Sequence, residues 1–323
     1  MAAPADSSIS LRISVTNRCQ LRCSYCSPQE WIEPPEHRDF LDFGEITSFV
    51  RALKRDFRLE KVRITGGEPL LRRNVEDLIA MISCLGVTDI AMTTNGQLLG
   101  DRATVLKKSG LNRVNISLDS LSSDGFHRLT GGGSLGKTLS GIEAALQCGL
   151  KPIKLNMVVM RGINDREVVD MVDFALRRGC EMRFLELMPI GIAAARFDAL
   201  FISSEEVRTR LENALRLSPL PPVSGRTSSN YVVEDRSGRK GTVGFISPYS
   251  SPFCQGCHRL RLTADGHLIG CLARGIGAYI RPALGLTDSA AREALGPVVS
   301  CALEEKRDTH SFGCTQPMVA MGG

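Results

Sequence analysis

Cys19-Gln-Leu-Arg-Cys23-Ser-Tyr-Cys26 sets three cysteines in a C-x3-C-x2-C run directly after the apolar, strand-like residues 11–15. A four-iron iron–sulfur cube normally takes four cysteine ligands, so a loop that supplies three leaves one iron free to bind something else. An open coordination position separates a working metal site from a structural one, and a cluster combined with S-adenosylmethionine (SAM) is a route to radical chemistry. The competing reading is a structural zinc loop. Zinc needs a fourth N or S donor, and the nearest histidine, His37, follows a Pro-Pro pair on a separate connection.

Outward from this loop, short β-rich runs alternate with amphipathic helical patterns through the first two-thirds of the chain, the signature of βα units and a parallel sheet. Strands are predicted near 11–15, 61–65, 89–94, 113–118, 153–159 and 182–187, and helices near 43–55, 75–85, 98–108, 138–148 and 167–178. Polar residues gather where each strand gives way to its loop: Thr16-Asn17-Arg18, Thr65-Gly66-Gly67-Glu68-Pro69, Thr93-Thr94-Asn95-Gly96, Ser117-Leu118-Asp119-Ser120 and Met188-Pro189. That rim is where parallel barrels build their chemistry. About six strands fall short of the eight of a closed barrel, so the expected fold is α/β, an open, partial (β/α)6 TIM-like barrel. Residues 203–215 read as a further helix, and the Pro/Ser/Gly-rich stretch 218–229 as a linker. The expected organisation is a barrel over 1–217 and a small C-terminal cluster-binding domain over 218–323.

Strand side chains alternate faces, and cations recur in step with small polar residues: Arg12/Ser14, Lys61/Arg63/Thr65, Lys154/Asn156 and Arg183. Like charges crowded into one lumen are costly unless offset, and guanidinium and ammonium groups are the usual partners of phosphate oxygens. A polyphosphate or similarly anionic substrate inside the barrel follows. The plainer alternative pairs these cations with Glu68, Glu181 or Glu186.

The 323-residue chain is 43% hydrophobic with a net charge of +5, enough to bury a barrel-sized core. It has no long Lys/Arg block of the kind that binds nucleic acid or a membrane surface. No signal-peptide pattern opens it, and no run approaches roughly 18 uninterrupted apolar residues. A cytoplasmic protein without nucleic-acid or membrane partners is therefore expected. Its 11 cysteines are many for a compartment in which disulfides rarely persist. Cys84, Cys148, Cys180, Cys301 and Cys314 read as small hydrophobes, which leaves a second group, Cys254, Cys257 and Cys271.

In that group a C-x2-C pair precedes Arg259-Leu260-Arg261, and the Ala264-Asp265-Gly266 turn lets Cys271 come back beside the pair. A paired loop plus one returning ligand suits a cluster or a zinc ion, with His258 or His267 able to complete a zinc shell. Two arginines on one side of the strand favour a second open cluster. Gly131-Gly-Gly-Ser-Leu-Gly136-Lys137-Thr138 also satisfies the phosphate-cradling pattern G-x4-G-K-T, but such a loop follows a buried strand directly, whereas residues 124–130 are polar and helix-like.

The C-x3-C-x2-C loop with Tyr25 before its last cysteine, followed by Gly66-Gly67-Glu68-Pro69, resembles the radical SAM enzymes. Further motifs are Arg12 in Leu-Arg-Ile-Ser-Val-Thr, Thr-Thr-Asn95-Gly, Ser117-Leu-Asp, Lys154 in Lys-Leu-Asn-Met-Val and Met188-Pro189. With Phe253-Cys254-x2-Cys257-x-Arg-Leu-Arg-Leu-Thr-Ala-Asp-Gly and the terminal Gly-Gly, they narrow the resemblance to the GTP 3',8-cyclases, the radical SAM lyases that open molybdenum cofactor biosynthesis. The resemblance implies two [4Fe-4S] clusters: one on Cys19, Cys23 and Cys26 that binds SAM, and one on Cys254, Cys257 and Cys271 that meets the guanine base. It implies a SAM pocket of Tyr25, Gly66, Gly67, Glu68, Ser117 and Met188. It implies a GTP site of Arg12, Arg63, Thr93, Lys154, Arg259, Leu260 and Arg261, with Lys61 and Arg183 beside it.

The implied reaction is reductive cleavage of SAM, abstraction of the ribose 3' hydrogen and attack of that carbon on C8 of guanine, with placement carrying most of it. An electron donor such as a flavodoxin and a downstream cyclic pyranopterin monophosphate synthase are implied as partners, and a homodimer is compatible. Position 258 is His where the family usually has Asn, Ser or Thr; a His258 bound to iron would close the place meant for guanine. Gly322-Gly323 resembles a tail that reaches into the active site. The other readings are a radical SAM peptide-modifying enzyme with an auxiliary cluster, a P-loop NTPase acting through Lys137, and a zinc-stapled binding protein.

Overall fold

Strands β1 (Ile9–Ser14), β2 (Leu59–Thr65), β3 (Ile90–Thr94), β4 (Arg113–Ser117), β5 (Lys154–Val159) and β6 (Glu181–Glu186) lie side by side in chain order, all parallel. The computed structural model describes residues 8–28, 40–223, 227–275, 277–286, 288–305 and 312–322; His37 and Gly323 fall outside them. The crossovers run through α1 (Phe43–Asp56), α2 (Val75–Cys84), α3 (Leu99–Lys108), α4 (Ser123–Thr130) with α5 (Leu135–Gln147), and α6 (Val168–Arg178). Local chemistry starts several of them: Asp42 and Glu45 form a capping box on α1, and Ser122 and Ser134 cap α4 and α5. Among the described residues no helix is long and apolar enough to cross a membrane.

Alternation then sorts the strand residues. Leu11, Ile13, Val62, Ile64, Val114, Ile116, Leu155 and Met157 are fully buried in one core with the helices. Arg12, Ser14, Arg63, Thr65, Thr93, Asn115, Ser117, Lys154, Asn156 and Arg183 fall at the intervening positions, on the hollow side of the sheet.

Six strands do not close a barrel, so two edges remain, and the last third of the chain takes both. After α7 (Phe197–Leu200) and α8 (Ser204–Glu212), β7 (Arg216–Pro219), β8 (Ser229–Glu234) and β9 (Lys240–Ile246) form an antiparallel meander whose last strand runs parallel to β6. At the other edge β10 (Arg259–Leu262) runs parallel to β1, followed by β11 (His267–Ile269) and β12 (Gly277–Tyr279). Helices α9 (Asp288–Glu304) and α10 (Met318–Met321) complete the chain. The result is one 12-stranded sheet. It runs unbroken across the boundary expected at 217/218, and residues 218 and 219, within the stretch predicted as a linker, belong to β7. The physical reason is that a connection between antiparallel strands has the same Pro/Ser/Gly chemistry as a linker.

Candidate active site

From β1 the chain passes into the loop of Cys19, Cys23 and Cys26, which neighbouring segments grip through the backbone. Gly67 and Glu68 N–H groups donate to the Thr16 and Arg18 carbonyls at 2.7 and 2.8 Å, and Arg22 and Ser24 N–H groups to the Thr130 and Leu129 carbonyls at 2.8 and 3.0 Å. The approach leaves no room for side chains. A Cβ would lie 2.6 Å from the Thr16 carbonyl oxygen at Gly66, 2.3 Å from that of Arg18 at Gly67, and 2.7 Å from that of Arg22 at Gly131. Gly66 and Gly67 are therefore glycines first of all because the cysteine loop rests on them.

Glu68 is fully buried, and both its oxygens are engaged. Oε1 accepts from Leu70 N (3.0 Å) and Thr94 Oγ1 (2.8 Å), and Oε2 accepts from Asn95 N (2.8 Å). Burial outweighs these bonds and pushes its carboxyl up to about 7. Its role here is to tie the end of β2 to the end of β3. Tyr25 Oη donates to Asp119 Oδ2 at 2.7 Å, and Asp119 Oδ1 accepts from Val158 N at 2.9 Å, which fastens the loop to β4 and β5. Ser117, also implied in the SAM pocket, stands two residues before Asp119 at the end of β4.

The three thiols are free. Burial is the main reason that Cys19 is pushed up to about 11 and Cys26 to about 12, with Cys23 raised in the same direction; charge on neighbouring sulfurs adds to it for Cys23 and Cys26. Such a set ionises only when a cationic centre offsets it, which is the donor chemistry that an iron–sulfur cluster requires.

Across β10, β1 and β2 the strand register sets Arg261, Arg12 and Arg63 in one row. Burial, and then repulsion from neighbouring arginines, lowers the pKa of each of the three guanidiniums. Among the described residues none of the three forms an ion pair with a carboxylate. Arg63 Nε, Asn115 Oδ1 and Asn156 Oδ1 are buried without a hydrogen-bond partner, and unsatisfied polar atoms of this kind on one wall point to a polar ligand. Thr93 is on the same wall, accepting from Asn115 Nδ2 at 3.2 Å. Further round, the plainer alternative holds: Glu181 Oε2 lies 2.6 Å from Lys154 Nζ and 3.9 Å from Arg183, and Lys61 lies 3.7 Å from Glu60.

The hairpin of β10 and β11 returns the chain, and Cys271 comes back beside Cys254 and Cys257 as predicted. Those three cysteines, with Arg12, Arg259, Arg261 and Met188, border a cavity of about 610 Å³, within the usual range for a small-molecule site. Cys257 and Arg259 line it and His258 is not among its lining residues. Among the described residues no three His, Cys, Asp or Glu side chains converge as a ready ligand set for a single metal ion. The first triad follows the C-terminal end of β1, and Cys254 and Cys257 precede the N-terminal end of its parallel neighbour β10. The arginine row lies between them.

Leu260 requires correction. It is fully buried opposite Leu11 in the core between sheet and helices, because alternation gives one face to Arg259 and Arg261 and the other to Leu260. Its side chain does not face the hollow. The expected tail contact is present as far as it is described: Arg261 donates to the carbonyls of Met321 and Gly322, and a Cβ on Gly322 would lie 2.7 Å from Ser14 Cβ. The G-x4-G-K-T stretch is a helix–helix connection between α4 and α5. Its Thr138, in the first turn of α5, is buried and donates to the Asn95 carbonyl at 2.9 Å, and its Gly131 packs on the Arg22 carbonyl of the cysteine loop.

Sequence reasoning missed two carboxylates that arrange this site. Asp119 was seen only as part of a polar rim. Glu186, weighed as a cation partner, instead accepts from Ser204 N (2.8 Å), Tyr249 N (3.1 Å) and Ser250 N (2.9 Å), and so fixes the segment that leads into Cys254. Asn115 shares the parity of Ser117 along β4, a signal that would have found it.

Residues 13–175 match the radical SAM superfamily, and residues 180–312 the family described as Molybdenum Cofactor Synthesis C. The chain is 45% identical over 263 residues to the GTP 3',8-cyclase of Alkaliphilus oremlandii, covering 81% of this chain and 80% of the relative. It is 41% identical over 305 residues to that of Pelotomaculum thermopropionicum, covering 93% and 91%. In fold it is similar to SuiB of Streptococcus suis, solved bound to S-adenosylmethionine, with a TM-score of 0.59 at 16% identity, covering 91% of this chain and 65% of that one.

Proposed function

The chain belongs to the radical SAM superfamily and, within it, to the GTP 3',8-cyclases, and from that premise we propose how its own residues serve the reaction. The enzyme converts GTP to (8S)-3',8-cyclo-7,8-dihydroguanosine 5'-triphosphate, the first step of molybdenum cofactor biosynthesis, with SAM and two [4Fe-4S] clusters. The observation that carries the reading is a row of three arginines, Arg261 buried and Arg12 and Arg63 half-buried, set by strand register between the two cysteine triads.

Cys19, Cys23 and Cys26 would hold one cluster and Cys254, Cys257 and Cys271 the other. When bound, the first cluster with SAM supplies radical chemistry for removing a hydrogen atom from the ribose. Tyr25, Ser117, Met188 and the backbone of Gly66-Gly67 shape the SAM side, while Glu68 holds that backbone in place. Arg12, Arg63, Arg259, Arg261 and Lys154 meet the triphosphate through charge-assisted hydrogen bonds, and Thr93 offers a hydroxyl beside them. Ile246, Phe253, Leu272 and Met318 give the cavity apolar walls that keep water from the reacting groups. Fixing the ribose and base against one another supplies much of the acceleration. A low-potential donor such as a flavodoxin and a downstream cyclic pyranopterin monophosphate synthase fit this chemistry, and 11 cysteines outside any disulfide suit the cytoplasm.

Anaerobic reconstitution followed by iron and sulfide counting, with GTP as the only added substrate, tests the proposal. Cyclised product and GTP-dependent deoxyadenosine are expected. A colourless protein carrying zinc and no sulfide would refute it, and deoxyadenosine indifferent to GTP would favour a peptide substrate.

Lys154 gives the site a pH edge. Burial, then Arg183, pulls its ammonium down to about 8 from 10.5, against the pull of Glu181. Within that window the unfolded chain holds the proton more tightly, so stability rises with pH while the charge that meets phosphate is lost. GTP affinity should therefore fall as pH climbs past about 8. Lys154→Met should bind more weakly at neutral pH and lose that slope. A wild-type Kd that stays flat across the window would remove Lys154 from the site.

A further inference from the structure

We propose that Asn95 is a positioning residue for the first cysteine cage: it holds an N–H on the Cys19 sulfur, and the cluster bound there is easier to reduce as a result. The proposal rests on the reading of Cys19, Cys23 and Cys26 as a cluster site and goes beyond it by naming what sets that site's potential.

Asn95 Nδ2 lies 3.8 Å from Cys19 Sγ. The orientation of an asparagine amide is an inference from its surroundings, and here they leave one choice. Asn95 Oδ1 meets the backbone N–H of Gln97 at 3.0 Å and Gln20 Nε2 at 3.4 Å. A backbone N–H can only donate, so the atom it meets is the amide oxygen and the NH2 faces the sulfur. The backbone of Asn95 is pinned from both sides, its N–H by Glu68 Oε2 at 2.8 Å and its carbonyl by Thr138 Oγ1 at 2.9 Å. Nothing at this position needs to reorganise. Cys19 Sγ also accepts from the Leu21 backbone N–H at 3.4 Å; Tyr25 reaches the Cys23 sulfur, and Asn95 is the side-chain donor aimed at Cys19.

Reduction adds one electron to the cluster, makes and breaks no bond and takes up no proton. The added negative charge spreads onto the cysteine sulfurs, so a donor already aimed at one of them stabilises the reduced form more than the oxidised form. Removing the donor should move the midpoint potential to more negative values.

The test uses the full chain with both clusters, titrated with dithionite under anaerobic conditions and followed by electron paramagnetic resonance. The first cluster is identified as the one whose signal changes when SAM is added. Asn95→Ala removes the donor without adding charge. Asn95→Asp keeps an acceptor for Gln97 N but has no N–H to offer. Both variants should retain wild-type iron and sulfide, shift the SAM-responsive midpoint negative, Asp further than Ala, and leave the other midpoint in place. An unchanged midpoint at full cluster content overturns the proposal. So does failure of both variants to hold the cluster, because the amide would then serve assembly and not potential. A wild-type protein with no SAM-responsive four-iron signal would instead sink the underlying cluster reading.

Discussion

Replacing Cys271 with serine should split the reaction in two: deoxyadenosine is still released, and no cyclised nucleotide appears. The reason is spatial. Cys271 returns beside Cys254 and Cys257 at the far end of β10 from the first triad, whereas the backbone bonds that grip the first loop come from residues 67, 68, 129 and 130. Half the iron should be lost and the SAM-responsive half kept. Cyclisation should fall by more than the roughly 100-fold that losing an outer partner of a metal ligand can cost. Cys19→Ser is the mirror experiment and should abolish deoxyadenosine altogether. Normal cyclisation by Cys271→Ser would remove the second cage from the mechanism, and loss of both clusters would show that the two ends of the sheet do not assemble independently.

Arg12→Met should make the unliganded protein more stable and a worse enzyme. Arg12 sits between Arg261 and Arg63 in the strand register, and burial and the neighbouring arginines outweigh the opposing pull of Cys257 on it. Exchanging a buried charge for an apolar side chain of similar length often stabilises by about 1–4 kcal/mol. Arg12 borders the cavity, where water screens it, so the lower end, about 1–2 kcal/mol, is expected. Affinity for GTP should move the other way by about 2–4 kcal/mol, the cost of stripping one partner from a buried charge pair, or roughly 30- to 1,000-fold. Thermal melting without ligand and calorimetric titration with GTP read the two signs separately. A lower melting temperature for Arg12→Met would mean that the hollow carries no electrostatic strain for a triphosphate to relieve.

Much of this was legible in the residues because the relevant signals are local. Alternation along β1, β2 and β5 marked the cations that face inward, and strand-to-loop transitions marked the rim. The two cysteine triads announced themselves by spacing. Leu260 shows the limit of carrying over a motif whole: three consecutive residues cannot all face one side of a strand. Gly66 and Gly67 show another limit, since spacing reveals that a backbone needs room but not which neighbour takes it. The pairing of β10 with β1 had no local signature at all, because it joins segments from opposite ends of the chain, and the 218–229 composition suggested a border where the sheet has none. Asp119, Glu186 and Asn95 act through contacts that only folding creates.

That pairing has a consequence for how the molecule is made. On the ribosome Ser10 emerges early and Arg259 late, so the strand that carries the first cage spends most of synthesis with one side unpaired. The same is true of β6 until β9 appears. A nascent chain in this state exposes two strand borders that invite pairing with other chains, and its high contact order slows their closure. Chaperone demand and sensitivity to premature termination should therefore be set by the final third of the polypeptide, even though the radical-generating loop is among the first parts translated.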